Sequence, residues 1–287
     1  MNSPFKAREN LCISFSGGRT SGLMLRRYLD FYNGKLPEHI KVCFANTGKE
    51  MPQTLDFVRD CADRWGVDIT WLELSKMECV GHKANGNRIF DTDYKIVSYE
   101  TASRSGEPFE IMIRNKGVPN PVARFCTADM KTRRINQYLR EGLGWDRGYG
   151  SAIGIRYDEP SRAHKQLNGK SDSGEIKVLP LWWAKTTKYD VADFWRKQPF
   201  DLNLPNNNGV TDWGNCDLCF LKGPNKKLSI VRERPDLAQW WAAMESESGS
   251  PFRNDQPSYD RMLLIASDQT GFEFGHDVST IPCYCGD

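Results

Sequence analysis

The sequence predicts an α/β protein: a doubly wound, mainly parallel sheet followed by a small, mostly helical region that carries cysteines. Three observations lead there. Short apolar segments alternate with helix-periodic segments through the first 75 residues. A glycine-rich turn stands at the first strand-to-helix junction. After an Asn-, Pro- and Gly-rich stretch at 199–214, the pattern changes to two or three short helices rich in Trp and charge. Strands and helices joined by such short links imply parallel pairing through right-handed crossovers.

Leu11-Cys12-Ile13-Ser14-Phe15 is the first strand, and Ser16-Gly17-Gly18 breaks it. Leu23, Met24, Leu25 and Tyr28 give residues 21–30 a helical pattern. Residues 40–45 read as a second strand and Asn46-Thr47-Gly48 as a turn. Pro52 suits a first helical turn, and Leu55, Phe57, Val58, Cys61, Ala62 and Trp65 keep helical spacing behind it. Residues 67–74 form a third strand. Farther on, 95–99 and 149–155 read as strands, 127–140 as a basic helix, and 186–197 as a helix started by Thr or Asp. A soft boundary falls near residue 200.

Composition narrows the function classes. With 39% hydrophobic and 26% charged residues, the 287-residue chain has a globular make-up rather than a disordered one. Mean hydropathy is −0.60, and no apolar run approaches the roughly 20 residues of a membrane span. Residues 1–6 lack the apolar core of a signal peptide, so a cytoplasmic location is expected. The net charge of +2 neither demands nor excludes nucleic acid. Nine cysteines is an odd number, awkward for a pure disulfide framework, and reduced thiols are expected. Cys12, Cys43 and Cys61 fall on apolar faces and read as small buried hydrophobes. The close pairs Cys216/Cys219 and Cys283/Cys285 point to metal or redox chemistry. Cys126 stands just before the basic helix, beside Arg124, a setting that favours a thiolate.

The turn from Ser14 to Gly22 suits an anion. Glycines let successive backbone N–H groups point inward, and the helix behind adds its positive end. Ser16, Thr20 and Ser21 offer hydroxyls and Arg19 a charge. The turn lacks the Gly-x4-Gly-Lys-Ser/Thr of one phosphate loop and the Gly-x-Gly-x-x-Gly of another.

Ser16-Gly17-Gly18-Arg19-Thr20-Ser21 resembles the pyrophosphate loop (PP-loop) of the N-type ATP pyrophosphatases. The branch it is most similar to is the phosphoadenosine phosphosulfate (PAPS) reductase family. Asn46-Thr47-Gly48 with Pro52-Gln53-Thr54 looks like that family's Asp-Thr-Gly…Pro-Glu-Thr segment. Gly154-Ile155-Arg156 through Arg162 is similar to its Gly-x-Arg-x-x-Glu-Ser segment, and Leu179-Pro180-Leu181 followed by Tyr189-Asp190-Val191 to its Pro-Leu…Asp-Val strand and helix. The resemblance covers residues 11 to about 200 and implies an adenine nucleotide alpha-hydrolase-like, Rossmann-like fold. It divides the chain into a PP-loop nucleotide-binding domain over 1–200 and a cysteine-containing region over 201–287. Nucleotide contacts are implied for Ser14, Ser16, Gly17, Gly18, Arg19, Thr20, Ser21, Asn46, Thr47 and Gly48. One departure concerns chemistry: Arg19-Thr20 stands where pyrophosphatases usually have Lys-Asp, so a metal-linked carboxylate is absent from the loop.

The activity so implied is adenylation with ATP and Mg²⁺, followed by sulfur transfer. Arg19 and Arg156 are the candidates for stabilising charge at phosphorus, with an ion pair to Asp158 or Glu159 as the plainer role for Arg156. Iron–sulfur relatives imply a 4Fe–4S cluster on Cys126, Cys216, Cys219 and one of Cys283 or Cys285, with Cys283 preferred; zinc in the same cysteines, or no metal, are the alternatives, and spacing alone does not separate zinc from iron. Arg114, Lys116, Arg124, Lys131, Arg133, Arg134, Lys222, Lys226 and Lys227 would converge around such a centre and suit a polyphosphate, a tRNA or DNA. Solvated helix faces are the plainer account of each basic run. The sulfur donor would be a partner protein such as a cysteine desulfurase. Two other readings stay open. A PAPS or APS reductase would use Cys285 as nucleophile, because Cys285-Gly286 matches part of the family's Glu-Cys-Gly segment. A nucleotide-binding module without catalysis would account for the altered loop. Protein purified without oxygen is expected to hold about four iron and four sulfide per chain, lost in Cys216→Ser; zinc or no metal would overturn the cluster assignment.

Overall fold

The structure, a computed structural model, describes residues 3–7, 9–169, 174–206, 211–214 and 216–268. Six strands form one sheet: β1 (Leu11–Ser14), β2 (Ile40–Ala45), β3 (Ile69–His82), β4 (Arg88–Val97), β5 (Gly150–Ile153) and β6 (Ile176–Val178). Their order is β4-β3-β2-β1-β5-β6. All pairs are parallel except β3 with β4. The chain winds outward from β1 through β2 and β3, then returns to the other side of β1 as β5. The strand order therefore reverses between β1 and β5, where sheets of this kind open a crevice at the carboxyl ends of the strands.

α1 (Arg19–Phe31) and α2 (Pro52–Trp65) make the first two crossovers, and α3 (Glu107–Lys116) follows the β3–β4 hairpin. Where the sequence predicts one basic helix, the backbone widens into π-helical turns, Cys126–Thr132 and Tyr138–Gly142, on either side of α4 (Arg133–Gln137). Such widened turns shift side chains off the regular helical faces. α5 (Pro160–Asn168), α6 (Pro180–Trp183) and α7 (Lys188–Arg196) complete the segment around β6. Thr187 starts α7 with a capping box closed by Asp190, as its sequence predicts. α8 (Pro224–Glu233), α9 (Pro235–Ser248) and α10 (Tyr259–Ser267) follow. β4 is longer than residues 95–99 suggest. It is an edge strand whose Ile89 and Ile96 stay exposed, so burial leaves little pattern in its sequence.

Both faces of the sheet are covered. On one face Ile13, Phe15, Phe44 and Leu74 pack with Leu23, Phe57 and Trp195, and the same core continues through Leu202, Leu218, Trp241, Tyr259 and Met262. On the other, Cys12, Cys43 and Leu72 pack with Ile135, Leu139 and Tyr149. Cys12, Cys43 and Cys61 are buried as expected, whereas Cys79 is exposed. Trp241 is fully buried and stacks on Tyr259, but Trp183 is 61% exposed. Helix α1 approaches α7 closely because Gly22 has no side chain: a Cβ there would stand 2.6 Å from Trp195 Cζ2. The Trp195 indole N–H, in turn, donates to the Arg19 carbonyl at 2.8 Å.

Lys227 on α8 is 1% exposed, with Nζ 4.9 Å from the centre of the Tyr259 ring. Burial, reinforced by Arg253, pushes its ammonium down to about 8. Above that pH the folded protein has released a proton that the unfolded chain still holds up to the ordinary lysine value. Stability therefore rises with pH from about 8 to about 10.4. Urea unfolding of wild type and Lys227→Met across this range is expected to show that rise in wild type and not in the variant.

Candidate active site

Gly17 adopts φ +78°, and a Cβ on it would meet Thr54 Cγ2 of α2 at 2.6 Å. The glycine is thus required by backbone and by space. Ser21 holds the loop from within the helix. Its hydroxyl donates to the Gly18 carbonyl at 2.9 Å and accepts from the Ser16 N–H at 3.2 Å, and Ser16 Oγ lies 2.9 Å away. No side chain caps α1, and its first turn holds no acidic residue. The helix therefore begins with backbone donors and a positive dipole end that suit a phosphate. The loop offers no carboxylate to a metal ion.

Beside the loop, at the β1/β5 reversal, lies a cleft lined by Ser14, Ser16, Lys131, Asn136, Ser151 and Lys177, with Phe15 and Ile135 as apolar walls. The cleft opens to solvent around an enclosed cavity of about 100 Å³. Gly154 packs against the backbone of Ser21, with its absent Cβ 3.3 Å from Ser21 Cα. This close approach brings the Gly154–Arg162 segment onto the loop. Arg156 Nη1 donates to Thr20 Oγ1 at 3.1 Å, so the second candidate arginine reaches the start of α1. It also pairs with Asp158 and Glu159, as its plainer role requires. Arg19 is turned differently. Its guanidinium forks onto Asp201 through Nε and Nη2, each at 2.6 Å.

Asn46, Thr47 and Gly48 end β2. Asn46 is fully buried, donates to Glu73 and to the Ser103 carbonyl, and accepts from the Gly48 N–H. The Thr47 hydroxyl donates to Glu50 at 2.7 Å and stands 3.5 Å from Cys216 Sγ. Glu50 bridges to Cys216 through the backbone and faces Lys131 at 3.3 Å. Lys49 forms a buried pair with Asp217 at 3.0 Å, and Trp241 donates to the same carboxylate at 2.7 Å. Burial pushes the Asp217 carboxyl up; Lys49 and Trp241 oppose the shift. The expected cysteine pair is thus carried to the end of β2, beside the cleft.

Cys216 and Cys219 share one turn, the Cys219 N–H donating to the Cys216 carbonyl at 3.3 Å, and Cys126 opens the first π-helical turn. Cys283 and Cys285 lie outside the described residues. Among the described residues, no three Cys, His, Asp or Glu side chains gather to hold a metal ion. The described donors therefore do not by themselves make the expected cluster or zinc site. The basic residues also divide. Arg134, Lys222 and Lys227 are buried; Lys222 Nζ donates to the Asp212 and Gly214 carbonyls. Arg114 pairs with Glu110 and Glu247, and Lys226 with Asp212. Lys131 alone of that group lines the cleft, where Lys177, not foreseen, joins it. Asp201 and Glu73 were also missed, since nothing local marks an acid that pairs across the fold.

A Ser-Gly-Gly turn entering an uncapped helix beside the strand-order reversal defines an α/β protein with a phosphate-suited loop. The chain belongs to the phosphoadenosine phosphosulfate reductase domain family, whose model matches residues 10–204. It is 31% identical over 215 residues to an uncharacterized nin region protein of Escherichia phage lambda, covering 75% of this chain and 67% of that protein. It is 24% identical over 243 residues to an uncharacterized protein of Methanocaldococcus jannaschii, covering 84% of this chain and 42% of that protein. Among solved structures it is similar to a PAPS reductase from Candida auris in a phosphate complex, at TM-score 0.39 and 17% identity, covering 75% and 90% of the two chains. It is likewise similar to a U34-tRNA thiolase from Methanococcus maripaludis with its 4Fe–4S cluster, at TM-score 0.41 and 15% identity, covering 98% and 81%. Among the described residues, no helix is long and apolar enough to cross a membrane.

Arg19→Lys keeps the charge and loses the fork onto Asp201. It is expected to lower stability by about 1.5 kcal/mol, the lower end for charge-assisted bonds because Asp201 is partly exposed, read as a shift of the urea midpoint.

Proposed function

We propose that this chain is an ATP-dependent adenylating enzyme of sulfur transfer whose acceptor is a nucleic acid. One observation carries the reading: an intact glycine turn feeds an uncapped, acid-free helix start beside a cleft that holds two lysines. Such a place suits a triphosphate and the departing pyrophosphate. An acceptor oxygen attacks the α-phosphorus of ATP; the new O–P bond forms as the bond to the β-phosphate bridging oxygen breaks, and pyrophosphate leaves. A sulfur nucleophile then displaces AMP from the adenylated position. In this scheme the Ser16–Gly18 backbone and the start of α1 hold the phosphates. Lys131 and Lys177 spread the charge that grows during attack, and Arg156 fixes Thr20 at the helix start. Arg19 positions the loop through Asp201. Mg²⁺, when bound with the triphosphate, neutralises part of its charge.

The cysteine region supports sulfur chemistry by its place. Cys216 stands next to Thr47, two residues beyond Ala45 in the cleft wall. A persulfide-carrying partner, such as a cysteine desulfurase, would supply the sulfur: its terminal sulfur displaces AMP, and a second thiol then breaks the S–S bond, forming a disulfide with the partner's cysteine and leaving the sulfur on the acceptor. Wild type is expected to convert ATP to AMP and pyrophosphate in the presence of tRNA or DNA. In Gly17→Val, strain and the clash with Thr54 should slow turnover by about tenfold or more. Release of sulfite from PAPS with no ATP turnover would overturn this reading in favour of a reductase; tight adenylate binding with neither activity would overturn it in favour of a binding module.

A further inference from the structure

A second groove lies between residues 116–122 and 248–255, outside the nucleotide cleft. Lys116, Asn120, Ser248, Ser250, Arg253 and Asn254 are among its polar walls. Arg253 is 5% exposed. It forks onto Asp255 through Nε at 2.6 Å and Nη2 at 2.5 Å, while its Nη1 is buried with no hydrogen-bond partner. A guanidinium nitrogen left in that state is costly, and an anionic oxygen is the acceptor that suits it.

The positive charge continues out of the groove. Lys116 Nζ bonds Asp129 at 2.5 Å and stands over the Phe90 and Phe125 rings at 4.7 and 5.7 Å. Arg133 pairs with the same Asp129. Arg88 lies over Phe90 at 5.2 Å, donates to the Asn115 carbonyl and pairs with no carboxylate among the described residues. Lys116 and Arg133 thus share Asp129, Arg253 is paired with Asp255 in the groove wall, and Arg88 has no carboxylate partner among the described residues, which leaves an excess of positive charge. Burial, with Arg133 and Arg88 close by, pushes Lys116 down to about 8. Asp129 belongs to the π-helical turn Cys126–Thr132, whose Thr127, Lys131 and Thr132 line the nucleotide cleft. One turn of backbone therefore faces both places.

We propose that this groove binds the phosphate backbone of the nucleic-acid acceptor and leads the strand past Cys126 toward the cleft. A single inorganic phosphate needs one such contact, whereas several cations spread along the surface fit successive phosphates. The proposal rests on the nucleic-acid part of the proposed function.

The test is fluorescence anisotropy with labelled tRNA and with a single-stranded DNA oligonucleotide, over a range of salt. Lys116→Gln and Arg253→Gln remove cations. Asn254→Asp and Ser250→Glu add negative charge on exposed walls and decide the matter if Arg253→Gln fails to fold. Each is expected to weaken binding about tenfold and to flatten the salt slope by about one, with Tm unchanged in Asn254→Asp. Wild-type affinity in all four variants, or no binding of either nucleic acid by wild type, would overturn the proposal. ATP turnover by wild type in the presence of tRNA or DNA is measured beside it. Turnover without groove-dependent binding would sink the groove and leave adenylation standing; groove-dependent binding without turnover would do the reverse.

Discussion

The buried pair of Lys49 and Asp217 ties the end of β2 to the segment that carries Cys216 and Cys219. Two charges removed from water need each other and need further hydrogen bonds. Trp241 supplies one, the Leu218 N–H another, and the Lys49 carbonyl accepts from the Asp217 N–H. An ion pair so confined adds little net stability, but breaking it would strand a charge, so it permits one docking geometry and few others. Trp241 then carries the constraint into the C-terminal helices, where it packs on Phe252 and Tyr259.

That docking explains why the core does not stop near residue 200. Leu202, Leu218 and Met262 belong to the same apolar cluster as Ile13 and Phe15. Arg19 and Asp201 join the glycine loop to a segment 182 residues farther along the chain. The loop is consequently held from three sides: by Thr54 below Gly17, by Gly154 against Ser21, and by Asp201 on Arg19. A loop fixed in this way keeps its backbone donors aimed without rearrangement, which is the condition for electrostatic help during phosphoryl chemistry.

The cleft and the cationic groove depend on one irregular helix. A regular α-helix over 126–142 would place Asp129 and Lys131 on a fixed, narrower turn. The π-helical turns widen it, so that Asp129 meets Lys116 on one side while Lys131 faces the cleft on the other.

Local chemistry was legible in the sequence. The Ser16-Gly17-Gly18 turn, the strand–helix alternation of the first 75 residues, the buried Cys12, Cys43 and Cys61, and the Thr187 cap all depend on residues close in the chain. Turn conformation, periodic burial and capping are decided within a few residues, so the sequence alone determined the α/β class and the phosphate-suited loop. Tertiary structure decided the rest: that Arg19 turns to Asp201, that Arg156 reaches Thr20, that Lys222 and Lys227 are buried, and that Cys216 meets Thr47. These contacts join residues far apart in the chain, and the partner of a charge or a thiol is set by which surfaces the packed core brings together, a choice no single segment encodes.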